Sequence, residues 1–343
     1  CIPRESDSVQ RRPAESSPYA RRKGSVLMKI RKFDILLLLC LILFLIAGLW
    51  SYGRACQRAA AVLRDPGAAV LSHAAVSALT FCAAPLPEDS RESIDIPILM
   101  YHGITDNDGK ENDYFIRAER LESDLKWLRD NGYTTILPSR LIAYAAEGAK
   151  LPRKPVILSF DDGYCNNYTY AFPLLRQYQA KAVIALIGAD CARSSDDIYR
   201  VPASCALSWG EVALMSRSGL VEFASHTYDL HRIRNGRKGA DRKKGEDFET
   251  YARLLREDSQ KNQRLITAAA GKPPQVFAWP YGAYPMDGTA DSTLKALGMQ
   301  ATFTSYQRTS VVRRGDADSL YGLGRYLRTP RFDITKIAGN ASG

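Results

Sequence analysis

PVILSFDDGY, residues 155–164, decides how the chain is read. Six residues with Ser159 as the sole polar member lead into two adjacent carboxylates, Asp161 and Asp162, and then a glycine. An apolar run this short, without alternation, reads as a strand buried on both faces. Two like charges at its end repel, and desolvation raises the cost. A bound cation would remove that cost by holding one carboxylate while the other stays ionised as a base.

Strand and helix signals alternate on both sides of this stretch from Ile94 onward. IPILMYH (96–102) reads as a strand, 117–133 as an amphipathic helix, TTIL (134–137) as a short strand, and 138–148 as a helix with Pro138 at its start. After the 155–160 strand come a helix over 167–179, the buried strand KAVIALIG (181–188), and a helix over 208–219. Ser208 with Glu211 three residues on forms a capping-box pattern for that last helix. VEFASH (221–226), a long helix across 247–270, QVFAWPYG (275–282), a helix over 288–298 and ATFTS (301–305) complete the alternation, with TPRFDI (329–334) expected to close the sheet. Such regular alternation implies a parallel sheet. About seven units suit a closed or nearly closed (β/α) barrel, in which chemistry gathers at the C-terminal ends of the strands.

The polar residues at those ends form a consistent set. The first strand ends at His102, the central one at Asp161 and Asp162, the next at His226 with His231 five residues later, and another at Pro280–Tyr281–Gly282. Three of the four histidines of the chain lie at these ends. Singly, each has a bland reading: a strand-end Asp is more often a helix cap, DDG is a common turn, and Tyr281 is as well explained as an aromatic packed beside Trp279. Jointly, two His and one Asp make a three-ligand site with open positions, the layout of a hydrolytic zinc centre. The spacing of His226 and His231 does not share a helix face, so HTYDLH must curl the second imidazole back beside the first.

SFDDGY, SHTYDLH and FAWPYGAY, in that order, resemble the polysaccharide deacetylase family, carbohydrate esterase family four with the NodB-homology fold. ILMYHGI and LSWGEVALMSRSGLVEFASHT resemble its poly-N-acetylglucosamine deacetylase branch, and the likeness covers about residues 94–335. The resemblance implies a deformed (β/α) barrel and metal-dependent removal of N-acetyl groups from an amino-sugar polymer. It implies Asp161 as the general base, Asp162, His226 and His231 as ligands of one divalent ion (Zn2+, with Co2+, Ni2+ or Fe2+ as alternatives), and the backbone N–H of Tyr281 as an oxyanion donor. Two family features are missing. No histidine follows His231, so the leucine-x-histidine acid is absent and His102 takes its place. Ala278 and Trp279 stand where an arginine usually precedes the Pro–Tyr pair. Arg331 is the candidate to contact Asp161 instead, with a surface charge as its other reading; Trp279 and Pro280 are candidate supports. A non-catalytic glycan-binding relative and an O-acetyl esterase on the same fold stay open as alternatives.

The net charge of +10 is localised. Residues 1–32 hold nine Lys/Arg and three acids, and Arg232–Gly245 holds seven and one, a surplus of six in each. The remainder is roughly neutral and lacks the basic face with motif support that nucleic-acid binding needs. The 232–245 run reads either as a guide for an anionic polymer or as a lid of no consequence. The first run precedes ILLLLCLILFLIAGLW (35–50), extended by Phe33 and Ser51–Gly53 into a transmembrane signal anchor over 33–53. A cleaved signal peptide is the rival, and secretion would follow from it. The expected organisation is a basic, disordered cytoplasmic tail (1–32), the anchor (33–53), an Ala-rich stalk (54–93) and a monomeric extracellular catalytic domain (94–343). Met28 is a more natural start for such an anchor, with 1–27 an extension upstream of it. No CxxC occurs among the seven cysteines, which argues against a thiolate zinc site. Cys191 and Cys205 are expected either to pair or to be free, partly buried thiols.

Overall fold

The computed structural model of the protein describes residues 88–89, 91–197, 205–285 and 288–338. The expected tail, the anchor and nearly all of the stalk lie outside them. Among the described residues no helix is long and apolar enough to cross a membrane. All of them belong to one compact unit. Glu88–Asp89 already pairs antiparallel with Leu151–Pro152.

The strands that build the sheet are β1 (Ile98–Tyr101), β2 (Thr134–Thr135), β3 (Pro155–Phe160), β4 (Ala182–Leu186), β5 (Val221–Ser225), β6 (Val276–Ala278), β7 (Ala301–Phe303) and β8 (Tyr326–Leu327). Their order is β7-β6-β5-β4-β3-β1-β8, with β2 beside the start of β3, and all these pairs are parallel. The helices are α1 (Ala118–Asp130), α2 (Pro138–Glu147), α3 (Phe172–Gln177), α4 (Gly188–Asp196), α5 (Trp209–Arg217), α6 (Phe248–Ala270) and α7 (Thr289–Ala296). The expected helix over 167–179 opens instead with a π-helical turn, Asn167–Ala171. Helix α4 had no clear signal, because its sequence, GADCARSSD, is short, small and polar.

The sheet curls until its two edges share one segment. Leu323 bridges Phe303 of β7, donating to Thr302 O (2.9 Å) and accepting from Thr304 N–H (2.8 Å). Three residues later β8 pairs with β1. The closing segment is therefore Leu323–Leu327 and not TPRFDI, which contains a turn and forms no strand.

Strand alternation sorts the core into two clusters. On β3, Val156, Leu158 and Phe160 face the outer helices with Leu121, Leu125 and Leu175. Ile157 faces the other way, with Val183, Ala224 and Val276 of neighbouring strands and Tyr144 of α2. Side chains two apart on a strand share a face. The inner row on β3 is thus Ile157, Ser159, Asp161; on β1 it is Ile98, Met100, His102; on β5 it ends Ala224, His226. Period-two geometry carries three site residues to the inside of the curl at one end of the sheet.

Candidate metal and catalytic centre

Asp161 continues β3, donating its N–H to Tyr101 O (2.9 Å). The chain then reverses: Asp162 has φ +67° and Gly163 φ +63°. A Cβ on Gly163 would sit 2.6 Å from Leu186 Cδ2 at a left-handed φ, so a larger residue there would be strained and displace Leu186. Thr227 (φ +73°) and Tyr281 (φ +56°) also occupy the left-handed region, which a β-branched Thr rarely visits. Asp162 and Tyr281 line one cavity and Thr227 follows His226 on its wall, so left-handed backbone gathers around it.

The loop His226–His231 curls as required, and α6 holds it. Asn262 Nδ2 donates to Leu186 O, Thr227 O and Ser225 Oγ, each at 2.9 Å. The Asp258 carboxylate accepts from Tyr228 N–H (2.7 Å) and Asp229 N–H (2.8 Å). The two imidazole centroids are 4.7 Å apart. His226 Nε2 lies 3.5 Å and His231 Nε2 3.4 Å from Asp162 Oδ1.

These three donor atoms lie within 4.8 Å of one another, and they fit a divalent ion on the chemistry of the set. Asp162 Oδ1 is buried with no hydrogen-bond partner, a costly state for a carboxylate oxygen unless a cation meets it. His226 Nδ1 lies 2.7 Å from Ala278 O, which can only accept, so Nδ1 carries the proton and Nε2 presents its lone pair. Burial and the neighbouring His226 lower the His231 imidazole to about 4, which leaves it a neutral donor. Burial alone would lower His226, but Asp161 and Asp162 outweigh it and raise its pKa above the ordinary value.

Asp161 is 3% exposed, and both its oxygens are engaged by one guanidinium. Arg325 Nη1 lies 2.6 Å from Oδ1 and Nη2 2.8 Å from Oδ2. The same side chain reaches Ser159 Oγ (2.9 Å) and Thr304 O (2.8 Å). Burial would raise the Asp161 pKa; Arg325 and His226 overcome it and hold the group well below the usual carboxylate range. Arg325 therefore fills the role expected of Arg331. Arg331 has an 88% exposed side chain and pairs at 3.5 Å with Asp113.

A cavity of about 490 Å³ joins these groups. His102, Asp161, Asp162, His226, His231, Trp279, Tyr281 and Arg325 all line it. His102 Nδ1 is buried without a partner, and desolvation lowers the imidazole below its ordinary value. The Tyr281 ring lies 4.5 Å from that of His231 and is 41% exposed. Trp279 and Pro280 are buried, Trp279 stacking edge-on against Phe277. Tyr164 and Tyr114, also lining the cavity, drew no attention in sequence. Burial and the neighbouring Asp162 raise the Tyr164 hydroxyl above its ordinary value, and Tyr114 meets His102 edge-on at 5.0 Å. Neither expected cysteine arrangement holds: Cys165 bonds to Cys205, and Cys191 is buried outside that bond. The disulfide, with the bridge Tyr164–Ala206, fastens residues 205–207 to the DDGY turn.

Comparison with known proteins gives the same picture. A family model described as Polysaccharide deacetylase matches residues 148–303. The chain is 28% identical over 275 residues to the poly-β-1,6-N-acetyl-D-glucosamine N-deacetylase of Escherichia coli K12, covering 71% of this chain and 41% of that protein. It is 25% identical over 203 residues to the enzyme of that name from Staphylococcus aureus MSSA476, covering 59% of this chain and 65% of the relative. It thus spans about two fifths of the length of the Escherichia coli relative. Among solved structures, a de-N-acetylase from Aggregatibacter actinomycetemcomitans superposes with TM-score 0.60 at 28% identity, over 72% of this chain and 99% of that one. IcaB from Ammonifex degensii superposes with TM-score 0.57 at 28% identity, over 69% and 92%. With the DDG and HTYDLH motifs joined at one end of a curled parallel sheet, residues 148–303 form a domain of the polysaccharide deacetylase type.

Proposed function

We propose that the protein hydrolyses the N-acetyl group of N-acetylglucosamine units in an extracellular or cell-wall polysaccharide. The convergence of Asp162, His226 and His231 beside an ionised Asp161, in one cavity with His102, carries this reading. The names of the relatives support the substrate class. A divalent ion, Zn2+ by the donor set, would polarise the acetyl carbonyl and acidify a water when bound. Asp161 accepts the proton of the attacking water on a carboxylate that Arg325 keeps ionised and correctly turned. Its depressed pKa makes the protonated form a ready donor, so the proton is passed on rather than stored. His102, a neutral imidazole on the same cavity, takes up that proton and delivers it to the departing amine, which leaves as the free amine while the acetyl group leaves as acetate. The Tyr281 N–H would face the developing oxyanion, and Trp279 and Pro280 shape the wall behind it.

The Cys165–Cys205 disulfide supports a location outside the reducing cytoplasm, in keeping with an anchor at 33–53. Acetate release measured across N-acetylglucosamine oligomers, poly-β-1,6-N-acetylglucosamine, peptidoglycan and acetylated xylan tests the reading. Release from the first three and not from xylan is expected. Release from xylan alone would make the protein an O-acetyl esterase.

A further inference from the structure

Within the described domain the excess cations are gathered in one place. Arg232–Gly245 is an ordered device, not a slack lid. Ile233–Arg234 and Arg237–Lys238 pair as a hairpin through a tight turn at Asn235 (φ +52°) and Gly236 (φ +73°). Buried Arg237 clamps the hairpin base by donating to Asp241 O and to Glu246. Gly239 presses that base against the catalytic cavity: a Cβ there would lie 2.9 Å from Pro280 Cβ and 3.1 Å from Tyr281 Cδ2. The Lys238 ammonium sits 5.9 Å from the Tyr281 ring.

A separate cavity of about 560 Å³ lies between this hairpin and α6. Most charges on its wall are already engaged. Arg232 pairs with Asp229 at 2.8 Å, Arg237 with Glu246, and Asp258 accepts two backbone N–H groups. Arg234 from the hairpin and Arg253 from α6 are exposed and have no acidic partner among the described residues. Glu257 is the unengaged acid on the same wall. Two free guanidiniums against one carboxylate, in a field set by six surplus cations, favour an anion.

We propose that this cavity is a second glycan subsite that takes an anionic substituent, a carboxylate or a phosphate, carried by the N-acetylated polymer. Arg234 and Arg253 hold it, since guanidinium forks match the paired oxygens of both groups. Leu230 and Arg232 line this cavity while His231 between them lines the catalytic one, so a polymer can occupy both. The same cationic wall repels the ammonium groups of the deacetylated product. The inference rests on the deacetylase reading above and narrows its substrate to acidic glycans.

Binding to the full chain carrying Asp161→Asn tests it without turnover. The probes are a neutral N-acetylglucosamine hexamer, a hyaluronan hexamer bearing carboxylates, an N-acetylglucosamine hexamer bearing 6-phosphates, and vesicles of phosphatidylglycerol. Adding Arg234→Ser and Arg253→Ser, both at exposed positions, should weaken the anionic oligomers about tenfold, as for two exposed charge pairs. It should also flatten their salt dependence and leave the neutral hexamer unchanged. A loss confined to one anionic oligomer supports the subsite and identifies its ligand. Equal affinities for neutral and anionic hexamers, or arginine-dependent binding to the vesicles with no preference among glycans, overturn it. Acetate release by the wild-type chain is read separately. Charge-selective binding with no release from any oligomer would defeat the deacetylase reading and leave the subsite standing.

Discussion

At the scale of single residues, the site turns on two neighbours with separate roles. Asp162 leaves one oxygen bare among imidazoles, while Asp161 has both oxygens held by Arg325. Arg325→Lys keeps the charge and loses the paired geometry. We expect kcat to fall about tenfold or more with KM little changed, because the base is displaced rather than the sugar. A fall in KM alone would contradict this role. The raised His226 fixes a sign. Without metal, Asp161 and Asp162 hold the His226 proton more tightly than an ordinary histidine holds its own, and a ligand must be neutral to bind a cation. Metal binding near neutral pH should therefore release a proton, and affinity should rise with pH until His226 is deprotonated in the free protein. Titration calorimetry in buffers of different ionisation enthalpy measures that proton; a count of zero would contradict it. Asp161, Asp162 and His226 stood out in sequence because each lies at the end of a strand, and His231 because it follows His226 by five residues. Arg325 was not, because it stands 164 positions from Asp161 and only closure of the sheet brings them together. Arg331, six residues on, had the better motif and the wrong burial.

At the scale of elements, the turns after β3 and β5 are built by partners remote in sequence. The His226–His231 loop depends on Asn262 and Asp258, one turn apart on α6, which read in sequence as ordinary polar positions of an amphipathic helix. The capping box of α5, by contrast, was legible since all its atoms are local: Ser208 and Glu211 cap each other as expected. The cysteine pairing was not legible, because spacing cannot choose among connectivities. The disulfide spans 40 positions, and a closed loop of that length is worth about 4 kcal/mol on the chain-entropy account. Cys165→Ser with Cys205→Ser should lower unfolding free energy by about that amount in urea denaturation, and reductant should then have no further effect. An unchanged midpoint would show that the bond constrains little.

At the scale of the whole molecule, two buried arginines pin the closing segment, Arg325 within it and Arg328 just after it. Arg325 reaches the site, and Arg328 grips Asp124 of α1 at 2.7 and 2.9 Å while Tyr101 donates to the same carboxylate at 3.0 Å. Removing one partner of such a pair leaves a buried charge uncompensated. Arg328→Met alone should cost about 3–5 kcal/mol, and Asp124→Leu added to it should recover most of the loss. If the two losses simply add, the pair is not the latch. The alternation of strands and helices made the curled parallel sheet legible from sequence. The closing segment was not, because LGRYL is a short strand whose pairing depends on the β1 and β7 edges being in place. The central claim is that Asp161 is the base and Asp162, His226 and His231 the metal ligands of a deacetylase. The most direct measurement is acetate release from an N-acetylglucosamine oligomer with bound metal counted on the same samples. The account predicts one metal and turnover for the wild-type chain, and one metal without turnover for Asp161→Asn. Turnover at the wild-type rate by Asp161→Asn, or a wild-type chain that binds no metal, would contradict it.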